Sequence, residues 1–221
     1  MPMNDPVDWA AGVRFICCDS EGELDMASSL RDHVFWTKRG VAFSQATERL
    51  RDAESHVFVL FHGERPVATG RSQPYPSEIS LAGQLCTADL RALQVDSEVG
   101  RFASAGSPLY PLMLLTFAAV WLLQSTRHQR YIAYCHPKLL PMYLRLGARD
   151  TGERCTVPER DAEHVIVSGR YDEGARLGLD MLGVDRAQAA AIVRLPDARC
   201  GAGLAPASER KAWDETAEIA R

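Results

Sequence analysis

The 221-residue sequence predicts an α/β fold, a mixed sheet with helices packed on it and a helical C-terminal extension. Three observations carry that prediction. Short stretches rich in Val, Ile, Phe and Tyr alternate with segments whose apolar residues recur every three or four positions. The longest apolar run, Leu109 to Leu123, falls short of the roughly 20 residues of a membrane span, so it predicts a soluble chain with a buried helix. From Asp172 onward, twelve alanines and several Gly and Pro breakers fall within fifty residues.

The elements follow in order. Val13–Cys18 is a short strand closed by Asp19, Ser20 and Gly22. Leu24, Ala27, Leu30, Val34 and Phe35 then mark an amphipathic helix from Glu23 to about Gly40, capped by Ser20 or Asp19 with Glu23 as the reciprocal partner. A short helix over Ser44–Ala53 is mostly charged, which predicts a solvated element. His56–Phe61 and Pro66–Ser72 form a hairpin around His62-Gly63-Glu64-Arg65. Pro74, Pro76 and Gly83 mark a loop, and Leu81–Leu93 has no clear pattern.

Val95–Ser104 is the next strand, and it ends in Ala105-Gly106. Ser107 as N-cap and Pro108 at the first helical position open the buried helix, which runs to about Gln124. Tyr131–Cys135 reads as a central strand, Pro137–Leu146 as a helix stopped by Gly147, and Val165–Tyr171 as a last strand that pairs with Arg154–Val157. Helices near Gly174–Leu182, Arg186–Val193 and Ser208–Arg221 complete the chain. This predicts an N-terminal segment (1–12), one α/β domain (13–171) and the extension (172–221).

Composition excludes several classes. With 25 Lys and Arg against 29 Asp and Glu, and no basic run, the chain lacks the electrostatic footprint of a nucleic-acid binder. Six cysteines, none in a C-x-x-C pair, predict a reducing, cytoplasmic setting rather than a disulfide scaffold or a metal site. The amino terminus has no basic region followed by an apolar stretch, so no secretory signal is expected.

The most informative unit is Arg101-Phe102-Ala103-Ser104-Ala105-Gly106-Ser107 between a strand and a helix. Small residues let a ligand approach the backbone, and the first free amides of a helix attract an anion such as a phosphate. A strand-to-helix turn with no ligand would read the same way. Arg101-x-x-Ser104-x-Gly106 resembles the acyl-carrier-binding pattern of the GNAT superfamily of N-acyltransferases, with Ser at its first Gly position.

Further motifs resemble the branch of acyl-homoserine-lactone (autoinducer) synthases and long-chain N-acyl amino acid synthases. These are Arg31 with Phe35, Gly70-Arg71, and Glu98-Val-Gly-Arg101-Phe102, in an order that spans about residues 13–171. The lactone synthases hold S-adenosylmethionine on acidic residues ahead of the hairpin. The corresponding VAFSQATERLRDAES shows no clear copy, so a different amine acceptor is expected.

The resemblance implies transfer of an acyl group, medium or long, from acyl-CoA or from the phosphopantetheine of an acyl carrier protein. The acceptor would be an amine of an amino acid, small molecule or peptide. Glu98 is the candidate base or amine anchor, Tyr143 the acid for the leaving thiolate, and His136 a further base or substrate contact. Arg31, Phe35, Arg71, Arg101 and Phe102 are candidate substrate contacts. Arg101, Ser104, Ala105, Gly106 and Ser107 are candidates for the donor's phosphate.

Glu98 and Arg101 point to opposite faces of a regular strand, so a bulge near Gly100 is expected if they share a site; a structural ion pair is the alternative. Phe35, Trp36, Phe117 and Trp121 could line an acyl tunnel. Arg31, Lys38, Arg39, Arg127, Arg130 and Lys138 could form a patch for an acidic carrier protein. Two other functions fit the same residues: a short-chain, CoA-dependent N-acetyltransferase, and a non-catalytic module that binds acyl carriers or a partner protein.

Overall fold

The computed structural model describes residues 12–41, 44–78, 80, 90–157 and 162–193. In chain order they form β1 (Val13–Cys17), α1 (Glu21–Arg39), α2 (Gln45–Ala53), β2 (His56–His62), β3 (Arg65–Pro74) and β4 (Ser97–Ser104). Then come α3 (Tyr110–Ser125), β5 (Arg130–Cys135), α4 (Leu140–Arg145), β6 (Arg149–Val157), β7 (Ala162–Arg170), α5 (Tyr171–Leu182) and α6 (Arg186–Ile192). Leu90–Leu93 and Pro137–Leu139 are short 3-10 turns. The unassigned stretch 81–89 and the helix expected over Ser208–Arg221 lie outside the described residues.

The seven strands form one sheet in the order β1-β2-β3-β4-β5-β7-β6. Every neighbouring pair is antiparallel except β4/β5. That parallel pair is short: Ser97 opposes Tyr131, Glu98 opposes Ile132 and Val99 opposes Ala133. Past these positions both strands continue, β4 to Ser104 and β5 to Cys135, without pairing to each other. A gap therefore opens in the middle of the sheet.

Each face of the sheet has its own layer. On one face Phe15, Phe58, Leu60 and Val99 pack with Met113, Leu114, Phe117 and Leu122 of α3 and Leu179 of α5. On the other, Val57, Val59 and Phe61 pack against Ala27 of α1, while Leu30, Val34 and Phe35 pack against Ala103. Residues of the C-terminal extension join the first core, with Leu182, Val184, Ala189 and Val193 buried there.

Local chemistry explains the boundaries. The Ser20 hydroxyl accepts the Glu23 amide at 3.4 Å, while the Glu23 carboxylate accepts from Asp19 N–H at 2.9 Å. Gly40, at φ 64°, ends α1. The buried helix starts at Tyr110, two residues past Pro108: Ser107 caps only a preceding turn, accepting the Leu109 amide at 3.2 Å. Pro111 falls in the first turn, where a missing N–H costs no internal bond.

The solvated position expected for α2 is corrected. Glu48, Arg51 and Asp52 are buried, whereas Ala46, Leu50 and Ala53 face outward. The helix turns its charged side inward because three arginines of other elements wait there.

Candidate active site

The site is built around an irregularity in β4. Thr69 opposes Ala103 and Arg71 opposes Gly100, so Arg101 and Phe102 together stand opposite Gly70. This is a β-bulge, and Arg101 adopts a left-handed φ of 56° to make it. Regular alternation would send Arg101 to the face opposite Glu98. The bulge turns it toward α2, on the side of Glu98, and sends Phe102 to the α3 side. The bulge expected near Gly100 is found one residue later.

On the α1/α2 face, Arg31, Arg71 and Arg101, widely separated in sequence, meet two carboxylates. Arg101 donates from Nε to Glu48 Oε2 at 3.1 Å and from Nη2 to Oε1 at 2.9 Å. Arg71 Nη1 donates to Glu48 at 3.3 Å and to Asp52 at 3.0 Å. Arg31 grips Asp52 with both terminal nitrogens, Nη1 to Oδ1 at 2.8 Å and Nη2 to Oδ2. Arg51 adds a contact to Glu48 at 3.2 Å.

Arg31, Arg71 and Arg101 are each no more than 4% exposed, so neither Arg31 nor Arg71 is a solvated surface charge. In this cluster Arg31, Arg51, Arg71 and Arg101 converge on the carboxylates of Glu48 and Asp52. Burial works to raise the Glu48 carboxyl, but the Arg71 and Arg101 charges outweigh it and hold it below its ordinary value. Burial pulls the Arg71 guanidinium down against the pull of Glu48 and Asp52.

Glu98 shares this face, opposite Gln73 of β3, and accepts a short hydrogen bond from the Ser80 hydroxyl. Tyr134 of β5 reaches over the gap: a Cβ at Gly100 would stand 3.3 Å from its hydroxyl oxygen. The sequence reading singled out neither Glu48, Asp52 nor Tyr134. The available signal for the first two was their spacing of four on a short helix whose opposite face is apolar.

On the α3/α5 face, the parted strands overlie an apolar cavity. Phe58, Val99 and Phe102 line it from the sheet, Leu115, Ala118, Ala119 and Leu122 from α3. Leu146, Tyr131, Tyr171, Gly174 and Ser72 complete it. Its free volume is about 30 Å³, the room of one water-sized group. The tunnel expected from Phe35, Trp36, Phe117 and Trp121 is corrected: Trp36 points to solvent, and Phe35 packs on Ala103 across the sheet. Phe117 and Trp121 are packed into the core beside Phe15 and Phe58. Phe102 can lie on β3 because residue 70 is glycine; a Cβ there would come within 2.5 Å of its ring.

Tyr143 of α4 is buried in the same core, and burial raises its phenol well above the ordinary value. Its hydroxyl has no hydrogen-bond partner among the described residues. His136 follows β5 and caps the 3-10 turn, its Nδ1 accepting from the Lys138 amide at 3.2 Å. One ring nitrogen is thus occupied by the backbone.

Ser104 ends β4, and Ala105, Gly106 and Ser107 follow it in the loop, with the Ala105 amide tied to Val67 O at 2.9 Å. Gly106 takes φ 102° beneath the Tyr110 ring, whose hydroxyl meets His62 Nδ1 at 2.8 Å. Arg101 is not brought to this loop, because the bulge commits its guanidinium to Glu48. Of the six residues expected to form a basic patch, three can be placed away from this loop. Arg31 is buried, and Arg127 and Arg130 stand beyond the far end of α3, a helix roughly 24 Å long. The side chains of Lys38 and Arg39 are outside the described set.

Among the described residues no group of three His, Cys, Asp or Glu could hold a metal ion, and no helix is long and apolar enough to cross a membrane.

No family model and no curated protein sequence matches the chain. Solved structures do match. FeeM, an N-acyl amino acid synthase from uncultured soil microbes, superposes with a TM-score of 0.61 at 18% identity, covering 75% of this chain and 98% of that one. BjaI, a CoA-dependent acyl-homoserine lactone synthase solved with SAM and isopentyl-CoA, gives 0.62 at 15% identity, covering 84% and 94%. An acyl-CoA N-acyltransferase from Pseudomonas aeruginosa gives 0.51 at 14%, covering 71% and 98%. The seven-stranded sheet with its parted central pair has the fold of these solved structures.

Proposed function

We propose that the chain is an N-acyltransferase that moves an acyl group from a pantetheine thioester, either acyl-CoA or the acyl form of a carrier protein, to the amine of a small acidic acceptor such as an amino acid. One observation carries this reading: β4 and β5 pair only over Ser97–Val99 and then part, with an apolar cavity lined by Val99 and Phe102 on one face of the sheet and Glu98 and the arginine cluster on the other. The acyl tail enters from the cavity side, the acceptor from the α1/α2 side, and the thioester carbonyl sits between the strands. The three guanidiniums gathered on that face, Arg31, Arg71 and Arg101, suit an acceptor carrying a carboxylate.

The chemistry follows from that placement. The neutral amine attacks the carbonyl carbon and forms the C–N bond. A main-chain amide of the parted strands stabilises the oxyanion. The amine gives its proton to Glu98, directly or through one water. The C–S bond then breaks, and Tyr143, kept protonated by burial, gives the leaving thiolate a proton. The proton that Glu98 took from the amine returns to Tyr143 through solvent after the products leave.

A second reading, a short-chain donor, is favoured by the small free volume of the cavity. A longer chain must displace Phe102 or Leu115. Mass spectrometry of products from acetyl to dodecanoyl thioesters, offered with a mixture of amino acids, separates the two. N-acyl amino acids from the longer donors support the main reading, and acetyl transfer alone supports the second. Formation of no N-acyl product overturns both.

A further inference from the structure

A line of three hydroxyls runs from the wall of the cavity into the sheet. Ser72 of β3 and Tyr171 of α5 line it, and Ser97 of β4 stands behind them. Ser72 Oγ and Tyr171 Oη are 3.2 Å apart, Tyr171 Oη and Ser97 Oγ 2.7 Å, and Ser97 Oγ lies 3.1 Å from the Arg130 carbonyl. All three residues are no more than 3% exposed.

Proton counting gives this chain a direction. Three hydroxyls carry three protons, and there are three contacts to fill. All are filled only if Ser97 donates to Arg130 O, Tyr171 to Ser97, and Ser72 to Tyr171. Ser72 has then spent its proton and turns only lone pairs to the cavity. Reversing the chain gives up the bond to Arg130. Ser72 is thus an acceptor in an otherwise apolar pocket, and a buried acceptor favours a ligand that brings a donor.

Its position says where that donor lies. Ser72 pairs with Val99, and Val99/Ala133 is the last pair before β4 and β5 separate. The side chain is therefore about one strand spacing, roughly 5 Å, from the place where the thioester carbonyl enters. That distance spans a few carbon atoms.

We propose that the preferred acyl group carries a hydroxyl on C3 to C5, held by Ser72. The proposal rests on the reading that an acyl tail occupies this cavity. Decanoyl, 3-hydroxydecanoyl, 5-hydroxydecanoyl and 3-oxodecanoyl pantetheine, the moiety shared by both donor types, test it by calorimetric titration of the full chain. One hydroxylated thioester should bind about tenfold more tightly than both the saturated and the 3-oxo chains, the scale of one net hydrogen bond. Ser72→Ala should bring the hydroxyl-to-saturated ratio to one. Tyr171→Phe frees the Ser72 proton and should narrow the gap between hydroxyl and oxo chains. Equal binding of all four overturns this proposal and leaves the acyltransferase reading standing. Binding of none overturns the acyl-cavity reading as well.

Discussion

Arg101 and Glu48, 53 positions apart in the chain, meet through three hydrogen bonds of 2.9 to 3.2 Å. The contact depends on the bulge that turns Arg101 toward α2. It is the link that makes a short charged helix part of the site and brings α1, β3 and β4 to a common centre.

Removing the carboxylate should therefore unsettle more than one element. Glu48→Gln removes the charge that Arg101 grips and takes one of two carboxylates from Arg71 in a dry setting, and a broken buried pair costs about 3–5 kcal/mol. Urea denaturation at neutral pH reads the loss. A drop under about 1 kcal/mol would show that the cluster is solvated.

The same carboxylate sets an acid response. Its folded value is below the ordinary 4.5, so the stabilisation is fully present above about pH 4.5 and is lost as pH falls through the lowered value. Stability of the parent chain should thus fall more steeply below pH 4.5 than that of Glu48→Gln. Parallel curves would contradict the assignment.

Glu98→Gln keeps a hydrogen-bonding side chain beside Ser80 and removes the base. The expected result is a fall in kcat of about a hundredfold, with thioester affinity nearly unchanged. Unaltered turnover removes Glu98 from the chemistry and leaves it an anchor for Ser80.

Gly70→Ala should destabilise the fold by about 1–3 kcal/mol, because the new methyl enters the Phe102 ring. Adding Phe102→Leu should recover part of that loss. A double-mutant cycle in which the two effects simply add would mean that the ring and residue 70 do not touch.

His56 offers a second pH signature. Burial, helped by the neighbouring His128, pulls its imidazole down to about 4. Between pH 6.5 and about 4 the unfolded chain takes up a proton that the folded chain refuses. Stability should therefore fall with falling pH across that window, by up to about 1.4 kcal/mol per pH unit. His56→Gln should flatten the slope; an unchanged slope assigns it to another group.

Much of this architecture was legible in the amino-acid pattern. The apolar run after Gly106, the hairpin around Gly63 and the strand Tyr131–Cys135 are set by local periodicity and turn chemistry, and they stand where these predict. Glu98, Arg101, Arg31 and Arg71 could be singled out because motif spacing marks them. Where Arg101 points could not be read, since one extra residue in β4 reverses its face. The burial of α2 escaped for a related reason. A helix of charged residues looks solvated until the cations of α1, β3 and β4 are placed against it. Trp36 misled in the opposite sense: a large aromatic ring on an amphipathic helix suggested a lining role, and the helix turns it to solvent.

The central claim is that a thioester carbonyl sits between the parted strands. A crystal structure with a non-hydrolysable acyl-pantetheine analogue tests it most directly. The carbonyl should lie beside residues 100–102 of β4, the tail among Phe102, Leu115 and Ala119, and the pantetheine arm should leave past Gly106. An analogue bound elsewhere, with β4 and β5 unchanged and the gap empty, would contradict it.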